Sequence, residues 1–359
     1  MQIGIVGLPY SGKTTFFQTL TEVQLDPTAL QKRDANLAIV KVVDKRLDEF
    51  TEIFQPKKKI NATIEIVDMV GLQKGETSGS SINAQFLGKV KTNDALIHVV
   101  RGFKDDAVPQ DGGLDMVRDI RTLEDEFLFS DMAFVESRIE KLEKDIQKTQ
   151  KDEAKKELAA MQRWNEHLQA GNPLRTMDFP PEDDRYLKNY QPLSAKPLLI
   201  ALNLGEDDIA RANEIVEEVR KTIAWENVII EPFSAKIEME LGALDEEEKA
   251  VFMEEYGLKE SALARLVRSA YRLLGLQSFF TVGEDECRAW TIRNGMTAQD
   301  AAGVIHTDFY NKFIRAEVVS YEDFMKNMTF AKCKEAGVFR LEGKEYIVHD
   351  GDILHVRHG

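Results

Sequence analysis

Cysteine is nearly absent: Cys287 and Cys333 are the two thiols in 359 residues. That excludes a disulfide framework and a four-thiolate metal site, and it suits an intracellular chain. Long apolar runs are missing too. No stretch of about 18 apolar residues occurs, and the start Met1-Gln2-Ile3-Gly4-Ile5 lacks the basic region of a signal peptide, so a cytoplasmic protein without membrane contact is expected. Positive charge is scarce, 47 Lys+Arg against 62 Asp+Glu for a net −15, which disfavours sequence-blind binding of the whole molecule to a phosphate backbone. Any nucleic-acid contact has to be local.

What is present is an ordinary globular composition, 43% hydrophobic and 30% charged, in a chain long enough for two or three domains. Branched apolar runs at Ile3–Val6, Leu37–Val43, Thr63–Val67 and Ala95–Val100 alternate with helix-like stretches, the pattern of a mostly parallel sheet covered on both faces. The rhythm then changes. Leu128, Met132, Val135, Ile139, Leu142 and Ile146 form a coiled-coil seam, and a second helical stretch with Leu158, Met161 and Leu168 ends at Gly171-Asn172-Pro173, which together predict an antiparallel hairpin. Strands return at Leu198–Leu202 and Val228–Ile230, followed by a helix over Ser261–Leu274. From Gln277 short strands at Phe279–Val282, Arg288–Ile292, Ala316–Val319, Tyr346–Val348 and Ile353–Val356 surround a helix near Thr297–Val304. The expected fold class is therefore α/β: one domain over 1–125 and 194–276, an inserted helical hairpin over 126–193, and a small α+β module over 277–359.

Gly7-Leu8-Pro9-Tyr10-Ser11-Gly12-Lys13-Thr14 fits G-x-x-x-x-G-K-[ST] between a predicted strand and a predicted helix beginning at Thr15. In such a loop the glycines let backbone N–H groups converge on phosphates at the positive end of the helix. Lys13 is expected on the β/γ oxygens and Thr14 on Mg²⁺. Asp68, at the end of the third predicted strand, is expected as the second Mg²⁺ anchor. The Gly71 N–H is expected at the γ-phosphate, with Gln73–Asn83 as a segment that responds to it. Asn203-Leu204-Gly205-Glu206 and Ser234-Ala235-Lys236 follow two further strands, where loops close over a nucleoside base; alone, each is uninformative. His98, inside an apolar strand, is expected as a satisfied core histidine.

The order of these motifs resembles the translation-factor class of P-loop GTPases, and the details resemble the YchF/Obg-like ATPase family. Gly7-Leu8-Pro9, Asp68-Met69-Val70-Gly71-Leu72, Asn203-x-x-Glu206 and the hairpin before that motif carry the resemblance. So do Phe280-Thr281-Val282-Gly283, Arg288-Ala289-Trp290-Thr291-Ile292, Ala301-Ala302-Gly303-Val304-Ile305-His306-Thr307-Asp308-Phe309 and Asp350-Gly351-Asp352 of a TGS-like β-grasp module. The resemblance implies a G-type NTPase domain with a coiled-coil insertion and a C-terminal TGS-like domain. It also implies ATP or GTP as substrate, with relaxed or adenine-leaning base choice because Glu206 replaces the guanine-reading aspartate.

Carried over residue by residue, Gly7, Pro9, Tyr10, Ser11, Gly12, Lys13, Thr14 and Thr15 hold the phosphates. Asn203, the Leu204 backbone and Glu206 address the base, and Ser234 and Ala235 support it. Lys13, Gly71 and Leu72 are the catalytic positions, with Leu72 where related enzymes orient water through Gln. Ribosome or RNA proximity through the hairpin and the terminal module, and a monomeric state, are further implications. Three departures stand out: Tyr10 replaces an asparagine directed at potassium, Glu76-Thr77-Ser78 replaces a switch histidine, and the segment Thr21–Asn36 lacks the usual switch string, leaving Thr28 as its candidate Mg²⁺ ligand. Loss of a water-positioning group typically costs about 10³–10⁵ in rate, so slow intrinsic turnover is expected. The competing expectation is a nucleotide-gated binding protein with negligible hydrolysis. A small-molecule kinase is a weaker third, since no arginine-rich lid is visible.

Overall fold

The structure, a computed structural model, describes residues 1–21, 36–69, 84–105, 112–149, 152–225 and 227–359. Among these residues, twelve strands form two six-stranded sheets: β1 (Gln2–Val6), β2 (Asn36–Val42), β3 (Lys58–Ile60), β4 (Ala62–Asp68), β5 (Ala95–Gly102), β6 (Leu198–Leu204), β7 (Val228–Phe233), β8 (Leu276–Thr281), β9 (Glu286–Arg293), β10 (Phe313–Ser320), β11 (Arg340–Glu342) and β12 (Asp352–His358). Two compact units result, one of Met1–Ala38 with Glu65–Leu266, the other of Ile39–Ile64 with Val267–Gly359. No described helix is long and apolar enough to cross a membrane.

The first sheet has the order β2-β4-β1-β5-β6-β7. β1 runs parallel to β4 and β5, β5 to β6, and β6 to β7. Every residue of β5 and β6 is buried, which explains why both read as continuous rather than alternating apolar runs. Ile120, Leu123 and Phe127 pack in one core with Leu96, Leu198 and Ile200 of these strands and with Val216, Val219 and Ile223 of the helix Ala212–Ile223. Parallel pairing brings the carboxyl ends of β1, β4, β5, β6 and β7 to one edge, where open α/β sheets bind ligands.

Phe127 belongs to a 34-residue helix, Met116–Thr149, that continues into the hairpin. Its Leu128, Val135 and Leu142 bury against Met161, Trp164 and Leu168 of the helix Asp152–Gln169, as the seam predicts. Polar anchors hold the hairpin's base. Asp131 accepts from the backbone N–H groups of Leu193 and Ser194 at 2.9 and 2.7 Å, and buried Glu124 pairs with buried Arg175. Arg175 also donates through Nε to the Lys196 carbonyl at 2.8 Å.

The second sheet has the order β11-β10-β12-β8-β9-β3. β8–β9, β10–β12 and β10–β11 are antiparallel, and β12 lies parallel to β8. Thr297 and Asp300 form a capping box that starts the helix Ala298–Ile305, whose Ala298 and Ala301 pack on Phe279, Val318 and Leu354. Residues 39–64, which the sequence reading places in the first domain, lie in this unit: β3 pairs parallel with β9, and Phe50 meets Phe280 edge-on at 5.2 Å. One expected strand is corrected. Tyr346–Val348 contributes a single bridge, Thr297↔Ile347, because its backbone is spent on the helix start: the Ala298 N–H donates to the Tyr346 carbonyl at 2.7 Å, and the Val348 N–H to the Met296 carbonyl at 3.0 Å. The strand beside β10 is β11 instead.

Candidate functional site

β1 ends at Val6, and the loop that follows turns into the helix Lys13–Thr21. The loop closes on itself: the Ser11 N–H donates to the Leu8 carbonyl at 3.3 Å, and the Phe16 N–H to the Gly12 carbonyl at 2.8 Å. Phe16 packs edge-on against Phe233 of β7 at 5.1 Å, fixing the helix on the sheet. Gly12 adopts φ +91°, and a Cβ there would lie 2.4 Å from Asn203 Nδ2, so both backbone conformation and space require glycine. Tyr10 holds φ 63° with a full side chain, a conformation that costs a non-glycine residue roughly 1–2 kcal/mol.

Lys13 is buried at 8% exposure, and its Nζ donates to the Leu8 carbonyl at 2.8 Å. Burial pushes its pKa down to about 8, against the attraction of Asp68. Asp68 is 2% exposed at the end of β4, in register with Ile5, and burial raises its pKa while Lys13 opposes the rise. Among the described residues, Asp68 Oδ1 and Ser11 Oγ are buried without a hydrogen-bond partner. Unpartnered buried oxygens carry a desolvation penalty unless something else satisfies them. A divalent cation and a phosphate chain are groups that would satisfy such oxygens.

Beside this loop lies a cavity of about 810 Å³, lined by Tyr10, Gly12 and Thr15 and by the segments that follow β5, β6 and β7. Its wall includes Asn203, Leu204, Glu206, Ser234 and Ala235; Gly7, Pro9, Ser11, Lys13, Thr14 and Asp68 do not line it. Asn203 is the strut between segments: its Nδ2 donates to the Ser11 carbonyl at 3.2 Å, and its Oδ1 accepts from the Ala235 N–H at 3.0 Å. Both ends of that side chain are committed to backbone. Ser234 starts the helix Ala235–Ala243 without a side-chain capping bond, and Glu206 pairs with Lys236 at 2.5 Å. Gly71, Leu72, Gln73, Glu76, Thr77, Ser78 and Thr28 lie outside the described residues.

The sequence reading missed the residues after β5. Phe103 lines the cavity, with the Arg101 guanidinium 4.8 Å from its ring and Arg101 Nε donating to its carbonyl at 3.1 Å. Its place just past a buried strand's carboxyl end was the available signal. His98 is a core residue as expected, but its Nδ1 has no partner among the described residues, and burial with the nearby cations Lys13 and Arg175 lowers its pKa to about 3.

The chain resembles known proteins over nearly its full length. Residues 2–163 match the family described as 50S ribosome-binding GTPase, and residues 276–359 match the YchF-GTPase C-terminal family, described as a protein of unknown function (DUF933). The chain is 41% identical to the ribosome-binding ATPase YchF of Bacillus subtilis (strain 168), over 99% of this chain and 98% of that one. It is 35% identical to Obg-like ATPase 1 of Caenorhabditis elegans, over 99% and 91%. The solved YchF GTPase of Schizosaccharomyces pombe superposes with a TM-score of 0.87 at 33% identity, covering 99% of this chain and 97% of that one. A phosphate-type loop, a buried aspartate beside it, an adjoining cavity and full-length relatives converge: the chain belongs to the YchF family of P-loop nucleotide hydrolases.

Proposed function

We propose that this protein is a Mg²⁺-dependent NTPase that binds ATP, and GTP more weakly, hydrolyses it slowly, and acts in the cytoplasm as a nucleotide-dependent switch on the ribosome. The single observation that carries the reading is the pairing of two sites on one loop. Lys13 and Asp68 are both buried and attract each other, Asp68 Oδ1 and Ser11 Oγ are unpartnered among the described residues, and the cavity opens beside the loop.

The backbone N–H groups of Gly7–Thr14 bind the phosphates, Lys13 neutralises the β/γ oxygens, and Thr14 and Asp68 hold the metal. When bound, Mg²⁺ supplies charge neutralisation at the β/γ oxygens. Lys13 Nζ spends one N–H on the Leu8 carbonyl and keeps two for phosphate oxygens, which as anionic acceptors make the stronger bonds. Asn203 sets the spacing between the phosphate loop and the base wall, with Leu204, Ser234 and Ala235 forming the wall. Gly71 and Leu72 are assigned to γ-phosphate contact and to the water-facing position. The ribosome is the partner because the bacterial relatives are named ribosome-binding ATPases, and the hairpin and the C-terminal module are its contact surfaces. The acting form is a monomer.

Titration calorimetry with ATP and Mg²⁺, followed by single-turnover hydrolysis, tests the reading. Wild type is expected to bind ATP and release phosphate slowly, and Lys13→Ala to lose triphosphate affinity while keeping its fold. Unchanged ATP affinity in Lys13→Ala overturns the site. Tight ATP binding without Mg²⁺-dependent phosphate release leaves a nucleotide-gated binding protein.

A further inference from the structure

Glu206 and Lys236 face each other across the cavity wall: Lys236 Nζ donates to Glu206 Oε2 at 2.5 Å, and both residues line the space. They come from different segments, Glu206 from the turn after β6 and Lys236 from the first turn of the helix after β7. The bridge is held in register from behind, because the Ala235 N–H, one residue before Lys236, is bonded to Asn203 Oδ1.

A carboxylate accepts hydrogen bonds and donates none. It therefore matches the guanine edge, which offers the N1–H and the N2 amino group, and mismatches adenine, whose N1 is itself an acceptor. An ammonium has three donors and no acceptor, the opposite preference. With one Glu206 oxygen engaged by Lys236, the wall loses the free pair of acceptors that guanine's N1–H and N2 amino group would take.

We propose that Lys236 is a specificity-determining residue: by occupying Glu206 it withdraws the carboxylate that would read guanine and makes the cavity select an adenine-type edge. The proposal rests on the reading of the cavity as a purine nucleotide site. It asks little of the pair in stability, since Lys236 is 66% and Glu206 29% exposed and water screens such a pair. Its effect lies in which base each exposed donor or acceptor opposes.

The full chain is titrated with non-hydrolysable ATP and GTP analogues in Mg²⁺, as wild type, Lys236→Met, Glu206→Gln and the double variant. Lys236→Met is expected to shift the ratio of affinities toward the guanine nucleotide by about tenfold, the scale of one hydrogen bond to a charged group. The same substitution in the Glu206→Gln background is expected to move the ratio less than about twofold, a dependence that a merely structural lysine does not show. A ratio unmoved by Lys236→Met while ATP still binds tightly overturns the proposal, as does an equal shift in the Glu206→Gln background. Failure of wild type to bind either nucleotide removes the nucleotide site itself, a result distinct from both.

Discussion

Asn203 Nδ2 donates to the Ser11 carbonyl at 3.2 Å across 192 positions of sequence. The same side chain accepts from the Ala235 N–H, so one amide fixes both the phosphate loop and the base wall. Asn203→Ala removes both bonds from a buried site and is expected to cost about 1–3 kcal/mol of stability. ATP affinity should fall further than the folding loss explains, because Gly12 loses the neighbour against which it packs. Urea unfolding and nucleotide titration on the same preparation check this; a variant that unfolds earlier but binds ATP unchanged contradicts it.

The pKa of Lys13 gives a pH signature. Free protein holds it charged below about 8, and phosphate binding requires the charge, so above that pH nucleotide binding takes up a proton. ATP affinity is expected to decline above pH 8, approaching about tenfold per unit. Lys13→Arg, charged throughout, is expected to bind more weakly at pH 7 with a flat profile from pH 7 to 10. A wild-type profile equally flat over that range counts against Lys13 as the phosphate cation.

His98 gives the opposite handle, on stability. Its pKa in the fold is about 3 against an ordinary 6.5, lowered by burial first and then by Lys13 and Arg175. The unfolded chain binds the extra proton between those values, so this contribution to stability is complete above pH 6.5 and drains away as the pH falls toward 3. His98→Leu is expected to lose about 2 kcal/mol less than wild type between pH 6.5 and 5. Denaturant midpoints at the two pH values measure it; parallel losses in the two proteins refute it.

Arg175 and Glu124 are 3% and 2% exposed, and each keeps one buried polar atom without a partner among the described residues. Arg175→Met strands a buried carboxylate and is expected to cost about 3–5 kcal/mol. Adding Glu124→Leu should restore most of that loss, because both desolvation penalties vanish together. Thermal unfolding of the two variants decides; a double variant as unstable as the single shows that the pair does more than balance charge.

Much of the first unit was legible. Strands β5 and β6 announce themselves as unbroken apolar runs because both faces are covered, and the phosphate loop has a fixed spacing that its chemistry requires. The hairpin seam was visible from Leu128 to Ile146, but the helix starts at Met116, since its first turns pack on the sheet and carry no heptad signal. The short strands β3 and β11, of three residues each, escaped because so few positions show no period. Tyr346–Val348 misled for the converse reason: it is β-prone, yet its backbone groups are taken by the loop that opens the helix Ala298–Ile305. In the site, Phe103 was hidden because it belongs to no spaced motif, and Lys236, legible only as the end of Ser234-Ala235-Lys236, meets Glu206 through folding alone.

The helix Met116–Thr149 has a mechanical consequence. Its root is clamped in the sheet core through Ile120, Leu123 and Phe127, while its outer turns travel with the hairpin. Beyond Leu128 the arm extends about 30 Å, so a tilt of about 5° at this fulcrum carries the tip about 3 Å. Any such tilt would be magnified along the arm, so that a small displacement at the root becomes a large one at the tip.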